Sequence, residues 1–463
     1  MTSEKIIIQD YLEVDDELLT DIRDLIQTKS DLLIKNILND LYPPDIAHLM
    51  NRLDYEESDY IFSLLSTEEQ SQVLVKLDDD HRNYFLQNLT KTELTEIVEE
   101  LPTDEATDIV SELSKEKAEE VFETLDKENL HELKELLQYE GNTAGGIMQK
   151  EVLVVQKNDT VKKAIQMLRR AAREDEHIKK HYSIFVVDEG GVLIGLLPIS
   201  ELVLLSPQRR IYKVMEKDVI SVTTNIDQEE VAHIFKKYNL VSIPVVDFQN
   251  RLVGKIMVDD IVDVMQEEHD EDVAKMIGSD ADEMESRSPS QIALLRLPWV
   301  LITLFIELLA GVVIHQFDET LSTVLLLASF MPIISAISGN TGLQSAAIIV
   351  RGLATGHVHL SEWWIPLRRQ FHTTIIIGGA CGVVIGIIGA VWYGKILFGV
   401  VVGVSMFISV NISGLVGTGV PMISKSLGFD PAMTAGPFET AFQDVIGISI
   451  FLSIATMLLH WLV

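Results

Sequence analysis

Asp444 begins a run that is otherwise apolar to the end of the chain. A carboxylate near the middle of a bilayer costs roughly 2.5–3.5 kcal/mol on the insertion scale. Such a group faces a pore or a partner, or is held structurally by hydrogen bonds. Glu307, inside an earlier apolar stretch, poses the same alternatives. Two further apolar stretches carry helix breakers: Pro332 with Ser338–Gln344 in one, and Asn411, Gly414, Gly417, Gly419 and Pro421 in the other. Broken backbone is tolerated in a membrane where it lines a wet cavity; glycines also serve close helix packing. Asn340 could offer a carbonyl to a hydrated ion, or a hydrogen bond to another helix.

These residues need membrane helices to position them. About 20 apolar residues span a bilayer, and five such segments lie near 295–316, 321–350, 371–394, 396–424 and 438–462. Arg287 and Arg296 precede the first span, Asp318 and Glu319 follow it, and Arg351, Arg368 and Arg369 follow the second. This alternation of basic residues places the N-terminal half in the cytoplasm and the C-terminus outside. Met1–Asp16 holds acids and no long apolar core, so it does not read as a signal peptide.

The rest of the chain is strongly acidic. Of 463 residues, 1–290 hold 31 basic and 63 acidic side chains, a formal charge of −32, whereas 291–463 hold 6 and 7. That charge argues against nucleic acid and anionic-lipid surfaces as partners. It points to a cation that is moved or sensed. The single cysteine, Cys381, excludes an intrachain disulfide or thiolate cluster. No nucleophile elbow, Walker loop or His-Glu-x-x-His string is present, so the chain does not read as an enzyme. His357, His359 and His372 could bind zinc, although scattered loop histidines usually bind nothing.

Two internal repeats organise the acidic half. Leu41, Leu53, Leu65, Leu77, Leu89, Leu101, Leu113, Leu125 and Leu137 recur every twelve residues, each preceded four residues earlier by another apolar side chain. One short helix per repeat, stacked side by side, predicts a helical solenoid over 1–140. It is a partner-binding platform or an ion-binding face. The second repeat fills 141–266: Ser183–Asp188 matches Ser242–Asp247, and Met148–Val152 matches Met215–Val219. Each unit, 148–206 and 212–266, reads strand, helix, strand, turn, strand, helix, and the pair resembles tandem CBS domains. The resemblance implies a regulatory module, with ATP possible and metal sensing ranked above it. Asp260 falls where such domains can bind a ribose. An acidic connecting helix follows over 267–290, with Ile261, Val264, Met265, Val273, Met276 and Ile277 in a helical stripe and a membrane domain over 291–463.

The combination resembles the MgtE family of magnesium channels, most tellingly at Ser338–Gln344, Asp430-Pro431-Ala432 and Gly436-Pro437-Phe438 leading to Asp444. The fold expected is therefore multidomain: helical solenoid, tandem CBS pair, connecting helix and five-helix membrane domain. The resemblance implies a homodimer in the cell membrane, transport of Mg²⁺, and closure by cytosolic Mg²⁺. It puts Asp444 at the pore, where the carbonyl read above at Asn340 would join it. It implies regulatory ligands at Asp104, Asp108, Glu229, Asp260, Asp263, Glu268, Glu271 and Asp272. Asn239 departs from the pattern, standing where an acidic ligand is expected. The alternative is a secondary transporter coupling Mg²⁺, Co²⁺ or Mn²⁺ to Na⁺ or H⁺, with Glu307 as the coupling site.

Overall fold

The computed structural model describes residues 16–174, 182–279 and 288–462. It divides into two units, 1–265 and 266–463. The N-terminal stretch 1–15 and Arg287, which entered the reading of the leader and of orientation, lie outside the described residues, as does 280–287 of the connecting segment.

The first unit begins with ten helices among the described residues: α1 (Asp16–Gln27), α2 (Asp31–Leu38), α3 (Pro43–Met50), α4 (Tyr55–Leu64), α5 (Thr67–Lys76), α6 (Asp79–Asn88), α7 (Lys91–Glu100), α8 (Thr103–Glu112), α9 (Lys115–Thr124) and α10 (Lys127–Leu136). From α4 on, the twelve-residue period resolves into a ten-residue helix, a C-cap and an N-cap. The repeat leucine is the C-cap: Leu65, Leu77, Leu89, Leu101, Leu113 and Leu125 leave the helix in extended conformation. The next residue caps the following helix with its side chain at Ser66, Asp78, Thr90 and Ser114. Asp54, Ser66 and Thr90 form capping boxes with Glu57, Glu69 and Glu93. The apolar partners four residues before each leucine form the core, with Ile61, Val73, Ile97 and Val121 fully enclosed. One expectation changes. Mostly alternate helices rather than consecutive ones are neighbours, α3 with α5, α5 with α7, α7 with α9 and α4 with α6. A sharp turn every twelve residues reverses the chain, so odd and even helices form two rows. Leu137 also falls outside the pattern: it is exposed, and Leu136 is buried in its place.

The duplicated modules follow. Module one has β1 (Val154–Gln156), α11 (Val161–Glu174), β2 (Ser183–Val187), β3 (Leu193–Pro198) and α12 (Ile199–Leu202); module two has β4 (Val222–Thr223), α13 (Gln228–Tyr238), β5 (Ser242–Val246), β6 (Leu252–Met257) and α14 (Val258–Met276). In each sheet the first pair is parallel and the second antiparallel. The two β-turns match as well: Asp188 accepts from the amides of Gly190 and Val192, and Asp247 from those of Gln249 and Arg251. Each turn ends in a left-handed residue, Gly191 at φ 79° and Asn250 at φ 60°. The leading segments are exchanged between modules. Gln149 pairs with Lys255 on β6 of module two, and Glu216 pairs with Leu196 on β3 of module one.

The second unit holds the apolar helices α15 (Pro289–Gln316), α16 (Asp318–Thr323), α17 (Leu327–Ala354), α18 (Trp364–Tyr393), α19 (Ile396–Ser426), α20 (Pro431–Thr434), α21 (Pro437–Met457) and α22 (Leu459–Leu462). Five are long and apolar enough to cross a membrane. The structure decides between the two readings of the helix breakers. Helices α17 and α19 run unbroken through Pro332, Asn340, Asn411 and Pro421. Most of the close approaches are glycine packing: a Cβ on Gly417 of α19 would collide with the carbonyl of Gly342 on α17, and one on Gly382 of α18 would sit 2.6 Å from the carbonyl of Gly403 on α19, whereas Gly419 faces open space. Close approach of the backbones is the reason for glycine here. Gly417→Val is expected to destabilise the membrane domain by about 1–3 kcal/mol through overpacking, read as a lower thermal midpoint in detergent.

Candidate metal sites

The intramembrane carboxylates come from two helices. On α21, the Asp444 carboxylate accepts a hydrogen bond from Ser335 Oγ on α17, at 2.5 Å. One turn along α17, a Cβ on Gly339 would lie 3.7 Å from Asp444 Oδ1. Serine and glycine at that i, i+4 spacing leave the acid room and one donor. From α15, Glu307 lies within hydrogen-bonding reach of Asp444. Asp444 is half-buried and Glu307 exposed, so the pair lies toward the outside of this chain. Asn340 also lies on the exposed side of α17.

A third membrane acid was not singled out from sequence. Glu439 is 1 % exposed and pressed against Gly342. Its Oε1 accepts from Gln443 Nε2 at 3.0 Å, and its Oε2 is buried without a partner. Periodicity could have found it: Glu439 and Gln443 are i, i+4 on α21, so a single helix face carries both.

In the first unit, Asp104 and Asp260 are brought together. Helix α8 is the odd member of the repeat because Pro102 stands at its N-cap and supplies no side-chain cap. Its first turn is capped instead by the exchanged leading segment that pairs with β6 of module two: the Thr103 amide and hydroxyl donate to Glu151 Oε1 and Oε2, both at 3.0 Å. Docking there buries Asp104 to 7 % exposure. Gln149 Nε2 donates to Asp104 Oδ2 at 3.0 Å and to the Asp260 carboxylate at 3.3 Å. Asp260 Oδ2 also accepts from the Met257 amide at 3.0 Å, so it faces α8 and its own helix start. Asp104 Oδ1 is buried without a partner. Burial, then the charges of Asp260 and Glu105, push the Asp104 carboxyl well above the usual carboxylate range. A buried orphan oxygen between acids is where a cation would be stabilised most.

The other implied ligands are spread out. Asp108 is exposed one turn further along α8. Glu229 is in the first turn of α13, its amide held by the Asp227 side chain. Asn239 explains itself: it ends α13 in the left-handed conformation at φ 52°, which asparagine tolerates better than an acid with a longer side chain. Asp263 pairs with Lys76 of α5 at 3.3 Å. Glu268 and Asp272 are half-buried on α14. Among the described residues, no three His, Cys, Asp or Glu side chains converge as a ready metal cage. His357, His359 and His372 follow suit; the ring Nδ1 of His357 is bonded to Thr355 and that of His372 to the Arg368 carbonyl.

Glu271 has a different partner. It is ion-paired to Lys275, which also donates to Asp430 Oδ2 at 2.8 Å. Asp430 in turn caps α20 through the Ala432 amide at 2.8 Å. Burial pulls the Lys275 ammonium down, but the hydrogen bonds it donates to Asp430 and Glu271 outweigh it and hold its pKa above the usual lysine value. Met276 packs with Ala346, Val350, Ala432 and Ala435. The apolar stripe of this helix is thus divided. Ile261 and Val264 are buried in the core of module two, Met276 packs in the membrane unit, and Met265, Val273 and Ile277 are exposed.

Comparisons with known proteins follow the same division. The family described as MgtE, divalent cation transporter, matches residues 331–454, the MgtE intracellular N domain matches 21–142, and the CBS domain matches 144–207 and 211–267. The chain is 37% identical over 325 residues to the magnesium transporter MgtE of Bacillus subtilis, covering 70% of this chain and 71% of that one. It is 36% identical over 330 residues to the magnesium transporter MgtE of Thermus thermophilus, covering 70% and 72%. It is also similar to a crystal structure described as the cytosolic domain of the Mg²⁺ channel MgtE in complex with ATP, at 33% identity and TM-score 0.50, covering 53% of this chain and 99% of that one.

Proposed function

The chain belongs to the MgtE family of magnesium transporters, and from that premise we propose that it is a magnesium-selective channel of the cell membrane, closed by magnesium on the cytosolic side. The observation that carries the transport reading is Asp444. It is an intramembrane acid with one serine donor and, among the described residues, no basic partner, on the outer side of this chain. An acid so placed needs a cation or a wet path. A homodimer with a two-fold axis along that face would set two copies of Asp444, flanked by Asn340, around one path. Mg²⁺ gives up water reluctantly and keeps several waters when bound by one or two carboxylates. The path would therefore read a hydrated ion. The protein is then a transport protein, with covalent chemistry no part of its work.

The acidic first unit and α14 act as the sensor in this reading. The buried, unpartnered Oδ1 of Asp104 supports a cation between the helical domain and Asp260. The acids Asp108, Glu229 and Asp263 of the first unit, and Glu268, Glu271 and Asp272 on α14, supply further carboxylates to the sensor. Cations that prefer the closed arrangement shift the population toward it. The helical and CBS domains lie in the cytoplasm, and five crossings put the C-terminus outside, in contact with membrane lipid throughout. The ATP held by the similar cytosolic domain supports a nucleotide at the CBS pair, as a second regulator.

A coupled transporter is favoured by one observation, the closeness of Glu307 to Asp444, because two facing carboxyls can hold a proton between them. Flux in proteoliposomes separates the two. Magnesium entry driven by its own gradient, with sodium and pH equal on both sides, is the expected result. Strict dependence on a second gradient, abolished by Glu307→Gln, would replace the channel with the exchanger.

A further inference from the structure

The junction where α8 meets module two contains more positive character than a bare ion site needs. Lys255 is 4 % exposed on β6. Burial holds its pKa below the usual lysine value, and the charges of Glu151, Asp260, Asp104 and Asp259 offset only part of that cost. A lysine is almost never this buried unless it is paired. Its backbone partner is Gln149: the Gln149 amide donates to the Lys255 carbonyl at 2.7 Å, and the Lys255 amide donates back at 3.0 Å. The same backbone pair therefore brings two donor side chains to this junction: the amide of Gln149 bridges Asp104 and Asp260, and the buried ammonium of Lys255 lies in the field of Glu151, Asp260, Asp104 and Asp259.

The internal duplication supplies a control. The equivalent pair in the other module is Glu216 with Leu196, joined by the same two backbone hydrogen bonds. There the side chains are an acid and an apolar residue. The backbone geometry is thus a property of the fold, and the donors occur only in the copy on which α8 docks. Asp104 divides its two oxygens accordingly. Oδ2 is taken by Gln149, and only Oδ1 is left without a partner.

We propose that Gln149 and Lys255 are a built-in counter-ion that holds α8 against module two without metal, so that magnesium at Asp104 tightens this junction without being required for it. The proposal rests on the magnesium-sensor reading above and refines it. The metal-dependent part of closure then falls on the other acids, along α14. Lys255 and Gln149 are positioning residues: they fix Asp104 and Asp260 by charge and by a bridging amide.

The test is hydrogen exchange of α8 (Thr103–Glu112) in the full-length protein in detergent, in EDTA and in excess magnesium. The native chain should protect α8 in EDTA, with little gain from magnesium. Lys255→Met keeps the buried stem and loses the charge. It should speed exchange of α8 in EDTA by about tenfold, the worth of a charged hydrogen bond, and magnesium should restore protection. Gln149→Ala should act in the same direction. Adding Asp104→Asn to Lys255→Met should restore protection in EDTA without metal, a rescue that a purely steric role for the lysine would not give. Unchanged protection of Lys255→Met in EDTA, or no rescue by Asp104→Asn, would overturn the proposal. If no segment of the native chain, α14 included, gains protection from magnesium, the sensor reading itself fails, and the two failures are told apart by that segment.

Discussion

Asp444→Ala is expected to reduce magnesium uptake by about a hundredfold while leaving the protein folded. The size follows from what is removed. A hydrated Mg²⁺ meets the carboxylate through its waters, and each hydrogen bond to a charged group contributes about 1.5–3 kcal/mol. One such bond is tenfold or more in occupancy, and two make about a hundredfold. Folding should survive, because Asp444 is half-buried and the hydrogen bond it would lose is the one from Ser335. Removing an acid from a bilayer also relieves a desolvation penalty. Uptake into proteoliposomes and the thermal midpoint in detergent, measured on the same preparation, separate loss of path from loss of fold. Asp444→Asn should recover part of the flux, since an amide oxygen still accepts from hydration water. Uptake at the native level in Asp444→Ala would remove Asp444 from the ion path.

Much of the architecture was legible before any coordinates. The twelve-residue spacing of leucines reports a local geometry, one helix plus two caps, and local geometry is written in consecutive residues. Its stacking is not, which is why the two-row arrangement of alternate helices had to be seen. Apolar length alone gave the five spans. Glycine and proline in α17 and α19 were ambiguous, because the same residues open a backbone or let two backbones touch. The contact of Gly417 with Gly342 settles this, and it lies between residues 75 positions apart. The sites divide in the same way. Asp444 and Asp104 could be named from sequence through family resemblance. Gln149, Lys255 and Lys275 could not, since their meaning comes from what a distant strand or helix sets beside them. Lys255 in a strand otherwise reads as a solvated edge; only its pairing with Gln149 and the docking of α8 make it a buried charge.

Gly436→Val is expected to leave uptake switched on when internal magnesium is high. Gly436 precedes α21, and a Cβ built there would collide with the carbonyl of Met276, the last residue of α14. The obstacle is backbone, so no rotamer change relieves it. The end of α14 must move away from α20 and α21. Overpacking of this kind costs about 1–3 kcal/mol, which shifts a closed–open equilibrium by roughly fivefold to a hundredfold. The Lys275–Asp430 ion pair alone contributes less, because both side chains are about 30 % exposed and exposed pairs contribute about 0–1 kcal/mol. Lys275→Met should therefore give the same phenotype in weaker form. The pH dependence has a definite sign. The Lys275 pKa is raised in the folded state, so the stability it contributes is fully present below the ordinary lysine value of about 10.4 and lost only as pH rises through the higher folded value. The latch should hold unchanged across the physiological range. Closure that weakens near neutral pH would have to originate in the carboxylates of the sensor. Inhibition of uptake by internal magnesium that is as complete in Gly436→Val as in the native chain would show that the seat of Met276 on the membrane domain does not control the path.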